Sequence, residues 1–177
     1  MFLTWLKAGA KGVPNLLHIV DKPFDNTVTS GYLTQHLYEN LVRCFILGDS
    51  LQAPAFQNAI MDCVIILAED YSIQFKRLLG SRPESIGEVY DHTLKGSPLR
   101  KFILDGIISR MDPDLFIKTV ADDLLYPNQE FIKELLHASL STIHAMKTNS
   151  GVVQSPWEKD RCHYHLHPDK PAGYKCA

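Results

Sequence analysis

From Leu33 onward the chain sets its apolar residues at helical intervals. Leu33, Leu37, Leu41, Cys44 and Gly48 recur three or four apart with Phe45 beside them, which predicts a helix over about 32–48, stopped by Gly48-Asp49-Ser50. A second helix over about 54–69 carries Phe56, Ile60, Cys63, Val64 and Leu67 on one stripe, and the short connection makes the two an antiparallel hairpin. Pro83 precedes a short helix with Ile86, Val89 and Tyr90 on its apolar face. After the break at Gly96, Ser97-Pro98 reads as an N-cap followed by proline in the first turn, where no amide partner is lost. The stripe that follows is Leu99, Phe102, Ile103, Gly106 and Ile107. Asp112-Pro113 repeats the start signal for a helix with Leu115, Phe116, Thr119 and Val120. Asn128 caps a last long helix with Phe131, Ile132, Leu135, Leu136, Leu140 and Ile143 expected to face inward.

The flanks follow other rules. Gly9, Gly12, Pro14, Pro23 and Gly31 mark a loop over residues 9–31, with one short strand expected at Leu16–Val20 and one or two helical turns before it at Phe2–Lys7. After Lys147 the run Thr-Asn-Ser-Gly reads as a linker, and the remaining residues have no amphipathic period. About six modest helices with short connections make a mostly α architecture the economical packing.

Composition narrows the classes. The chain has 177 residues, 45% of them hydrophobic, enough for one sizeable core. A formal charge of −2 gives no electrostatic case for nucleic acid, and basic pairs such as Lys76-Arg77 and Arg100-Lys101 read as solvated helix faces. No apolar run is long enough to cross a bilayer, and the N-terminal lysines follow the apolar residues where a secretory signal has them first, so an intracellular chain with no membrane partner is expected.

Cys44 and Cys63 sit within apolar stripes and read as small buried hydrophobes. The tail is different: Cys162, His165, His167 and Cys176 are spaced C-x2-H-x-H-x8-C. Tetrahedral zinc takes four N or S ligands, a two-residue gap aims two of them at one ion, and in a reducing compartment such a cluster suggests metal before disulfide. The expected role is structural, with Trp157 and Tyr174 as shields, because so short a tail has little core of its own. No HExxH helix, nucleophile elbow or phosphate-binding glycine loop occurs, so no catalytic residue and no further cofactor is assigned. His18, His36, His92, His137 and His144 are scattered, and Glu69-Asp70 and Asp122-Asp123 read as solvated helix charge.

Taken in order, several segments resemble fungal BTB/POZ-domain proteins. Phe2-Leu3-Thr4-Trp5-Leu6-Lys7-Ala8-Gly9 is similar to the FxxWLYTG stretch of that family. The run Leu41–Asp49, then Ala53-Pro54-Ala55-Phe56-Gln57-Asn58 and Met61-Asp62, resembles its LYVFADKYDIPxLRNxxIDxL helix pair. Val89-Tyr90-Asp91-His92-Thr93 followed by Gly96-Ser97-Pro98-Leu99-Arg100, and Cys162-His163-Tyr164-His165-Leu166-His167, are similar to the later helix, the Gly-Ser-Pro-Leu-Arg block and the terminal CxYHxH motif. The resemblance implies the C-terminal half of a BTB/POZ fold over residues 1–75, a helical extension over 76–147, and a linker with a Cys/His-rich tail over 148–177. It also implies that the first strands of that fold precede residue 1, so that the chain is a truncated or divergent member. The implied function is non-catalytic protein–protein interaction, with self-association and a link to cullin-type ligases as family roles. The alternative is a small zinc-binding regulatory module acting through the tail. In a nucleic-acid version of that alternative, Lys159, Arg161, Lys170 and Lys175 are offset by Glu158, Asp160 and Asp169.

Overall fold

A computed structural model describes residues 3, 5, 6, 28–70, 84–114, 116–117, 128–148 and 156–168. These residues are mostly α-helical, with no strand among them. The elements are α1 (Val28–Ser50), α2 (Pro54–Asp70), α3 (Glu84–His92), α4 (Pro98–Arg110), α5 (Gln129–Thr148), α6 (Pro156–Lys159) and a 3₁₀ turn (Arg161–Tyr164). Leu3, Trp5 and Leu6 are helical as expected, and so are residues 113, 114, 116 and 117. The strand expected at 16–20, residues 149–155 of the expected linker, and Leu115, Thr119, Val120, Tyr174 and Cys176 fall outside the described residues, while Thr148, expected to open the linker, is the last residue of α5.

α1 and α2 form the expected hairpin. Tyr38, Leu41, Val42 and Phe45 on one helix meet Phe56, Ile60, Cys63, Val64 and Leu67 on the other, all buried. The helices close most tightly near the turn: a Cβ on Gly48 would stand 2.7 Å from the Gln57 Cγ, so glycine here permits the approach where the sequence suggested a stop. α1 runs through Ser50 and starts at Val28, enclosing Gly31. One interior glycine costs a helix only about 1 kcal/mol, and the packing of the later turns outweighs that. Trp5 leans on the outside of this pair, its ring 5.3 Å from that of Phe56.

α3 and α4 join through a turn with Gly96 at φ 82°, the left-handed region that favours glycine. Pro98 occupies the first turn of α4 as the sequence suggested. Ser97 is at the N-cap position, but its side chain makes no capping bond and its hydroxyl is buried without a hydrogen-bond partner. The helix start therefore rests on Pro98 and on the Ser97 carbonyl, which accepts from the Lys101 amide at 3.1 Å.

Arg100 is not on a solvated face: it is 3% exposed and ties three helices together. Its Nε donates to Thr93 Oγ1 at 2.9 Å, and Nη2 donates to the carbonyls of Tyr90, at 2.8 Å, and Thr93. The guanidinium lies 4.3 Å from the centre of the Tyr90 ring, and Nη1 pairs with Glu130 at 2.9 Å and Glu134 at 3.8 Å on α5. The Nη1 contact to Glu130 is ionic and poorly directed, since that nitrogen makes no well-formed hydrogen bond.

Asn128 caps α5 as expected, its Oδ1 accepting from the amides of Glu130 at 3.0 Å and Phe131 at 3.2 Å. The inward stripe holds only for the first two turns, where Phe131 is buried and Ile132 and Leu135 are partly so. Leu136, Leu140, Ile143 and Met146 are 58%, 65%, 47% and 45% exposed. Among the described residues, the anchors of α5 to the core, Phe131, Leu135 and the two glutamates on Arg100, lie near its start, and the sequence period ran on past them.

Candidate metal centre

The tail is held by the helices before its ligands are considered. Trp157 of α6 and Tyr164 of the 3₁₀ turn are both buried in the common core around Phe102 of α4, at ring separations of 5.0 and 5.5 Å. The aperiodic tail thus supplies two of the largest buried side chains of the protein, which a search for amphipathic period cannot detect. Asp160 opens the turn by accepting from the Cys162 amide at 3.0 Å. Arg110 at the end of α4 pairs with Glu158.

Two residues of α2, one turn apart, fasten the next stretch. The Asn58 side chain donates to the Leu166 carbonyl at 3.0 Å and accepts from the Leu166 amide at 2.7 Å, as a neighbouring strand would. Asp62 Oδ1 lies 3.0 Å from His165 Nε2. The backbone between the two histidines is therefore fixed by Asn58, and one imidazole is oriented by Asp62.

In that frame Cys162, His165 and His167 each bring a ligand atom within 4.8 Å of the other two. Cys162 Sγ and His167 Nε2 are 3.0 Å apart. Tetrahedral zinc, with bonds of roughly 2.0–2.3 Å, sets its ligand atoms about 3.3–3.8 Å apart, so adjustments of about an ångström at side-chain torsions would accommodate an ion. Asp62 beside His165 Nε2 would orient that imidazole, as the outer partners of metal-ligating histidines do. Three of the four expected ligands are thus together, and the fourth, Cys176, is outside the described residues. Asp62 is not among the converging atoms. Asn58 and Asp62 escaped sequence reasoning because their partners lie 108 and 103 residues away.

A second polar cluster borders the tail on α4. Tyr164 donates to Asp105 Oδ2 at 2.6 Å, and Lys101 Nζ is 3.3 Å from His163 Nδ1. Burial raises the Asp105 carboxyl above its ordinary range, and the Tyr164 bond, His163 and Lys101 pull it back only in part. His163 is lowered, by burial first and by Lys101 second. A raised folded-state pKa means that the native protein takes up a proton which the unfolded chain does not yet hold. Stability should therefore rise as pH falls through the raised Asp105 pKa toward the unfolded value of about 3.9. Asp105→Asn keeps an acceptor for Tyr164 and should flatten that slope in denaturation curves taken across this window. An unchanged slope would assign it to another group.

Of the other cysteines, Cys63 is buried, which together with the neighbouring Asp62 charge pushes its thiol up to about 12, while Cys44 is half-buried. The histidines at 92, 137 and 144 are exposed and dispersed. No helix among the described residues is long and apolar enough to cross a membrane. Comparison of the chain with protein-family models, curated proteins and solved structures returned no match.

Proposed function

We propose that this chain is a non-catalytic protein-interaction module in which a structural zinc ion, bound by Cys162, His165, His167 and Cys176, locks the docked segment over residues 156–168, the hook, to the helices. The observation that carries the reading is the convergence of three ligand atoms within 4.8 Å on a segment already docked by Asn58, Asp62, Trp157 and Tyr164. A structural site takes its full ligand set from the protein, and its surroundings support that role: Leu166 is clamped at both backbone polar groups and Asp62 orients the His165 imidazole. The interaction role is supported by the resemblance of the sequence motifs to BTB/POZ proteins and by the apolar surface that α5 leaves exposed. An intracellular setting, in which cysteines stay reduced, fits the same reading.

The test is metal content. Purified protein should carry close to one zinc per chain by elemental analysis, and Cys162→Ser should remove it. Hydrogen exchange over residues 156–168 should accelerate in that variant and in chelator-treated protein. Protein without zinc that also takes none up, with equal exchange before and after chelation, would end the metal part of the proposal.

A further inference from the structure

We infer that the C-terminal half of α5 is the docking face for an acidic amphipathic helix of a partner protein. This inference rests on the reading of the chain as an interaction module and names the partner's chemistry. Leu136, Leu140, Ile143 and Met146 form one exposed apolar stripe along about three turns. Isolated exposed leucines are ordinary, but four at helical spacing on one face form the groove-facing pattern that helical partners read.

Charge selects among occupants. Lys133, His137 and His144 follow one edge of the stripe, and Lys147 closes its C-terminal end, all exposed. No carboxylate occurs between Glu134 and Thr148. The two acids earlier in the helix, Glu130 and Glu134, are paired with Arg100. Lys133 and Lys147 therefore give the stripe positive charge at both ends, with no carboxylate between Leu135 and Lys147 to offset it. A second copy docking antiparallel would bring this edge against its own counterpart, basic against basic. A helix with leucines on one face and glutamates beside them would satisfy both stripe and edge.

The experiment uses the full chain and two labelled synthetic helical peptides with the same leucine face, one flanked by glutamate and one by lysine. In fluorescence anisotropy the glutamate peptide should bind about tenfold more tightly than the lysine peptide at low salt, and added salt should narrow the gap. Leu140→Asp, at an exposed position and with an unchanged thermal melt, should abolish binding. Lys133→Glu combined with Lys147→Glu should reverse the preference. Equal affinity for the two peptides, or preferential binding of phosphatidylglycerol vesicles, would overturn the inference. Cross-links mapping away from α5, or a sedimenting dimer dispersed by Leu140→Asp, would overturn it while leaving an interaction module in place. A monomer that binds neither peptide would count against both readings.

Discussion

Arg100→Ala is expected to lower the unfolding free energy by about 3–5 kcal/mol, the cost of removing one partner from a buried charged network. The side chain is almost wholly buried, and its loss strands several groups at once. The Tyr90 and Thr93 carbonyls lose their donor, Thr93 Oγ1 loses the Nε bond, and Glu134 keeps the Tyr90 hydroxyl but loses its cation. Glu130 contributes little to that figure, because it is largely exposed and can turn to water. Arg100→Met should cost less than Arg100→Ala, since it refills the volume over the Tyr90 ring, yet the carbonyls stay without a donor. Urea denaturation read as a shift in midpoint at constant slope would measure both. Equal midpoints for wild type and Arg100→Ala would mean that α3, α4 and α5 are held by their apolar contacts alone.

The same residue shows where sequence reasoning stopped. A charged pair such as Arg100-Lys101 reads as surface because burying an ion is costly, and nothing local announces the carbonyls and glutamates that offset the cost. Lys101 only half follows the rule: it is partly buried and its ammonium reaches the tail at His163. Helix starts were legible because their signals are local, as with Asn128 and Pro98, and the α1–α2 hairpin was legible because its stripe is long. The inner and outer faces of α5 were not separable. Period tells which residues share a face, while the depth to which each is covered is a tertiary fact, and beyond Leu135 the apolar face carries the exposed Leu136, Leu140, Ile143 and Met146.

The tail divides in the same way. Cys162, His165 and His167 could be read from spacing, since a chain needs few residues to return to one ion. Asn58 and Asp62 could not, because on α2 they look like the polar side of an amphipathic helix. Their i and i+4 spacing places them on one face, and only the docked hook gives that face its meaning.

Trp157→Ala is expected to cost about 3–5 kcal/mol, in the range for deleting a large buried aromatic side chain. The indole packs on Phe102 and Tyr164 and lies beneath the Arg110 guanidinium, so the lost volume opens between α4 and the hook. The four residues of α6 cannot hold a helix by propensity, and without the indole the segment would depend on its remaining fastenings among the described residues, chiefly the Tyr164–Asp105 bond, Tyr164 on Phe102, the Arg110–Glu158 pair, the Asn58 clamp and Asp62. On the proposed zinc reading, the ion and Trp157 should be coupled: chelation should destabilise Trp157→Ala more visibly at residues 156–168 than it does the wild type, because each fastening would compensate for loss of the other. Denaturation midpoints and hydrogen exchange for the two proteins, with and without chelator, complete the cycle. A tail that were merely appended would leave the cooperative transition of the helices unmoved by this substitution, whereas a hook built into the core around Phe102 must shift it.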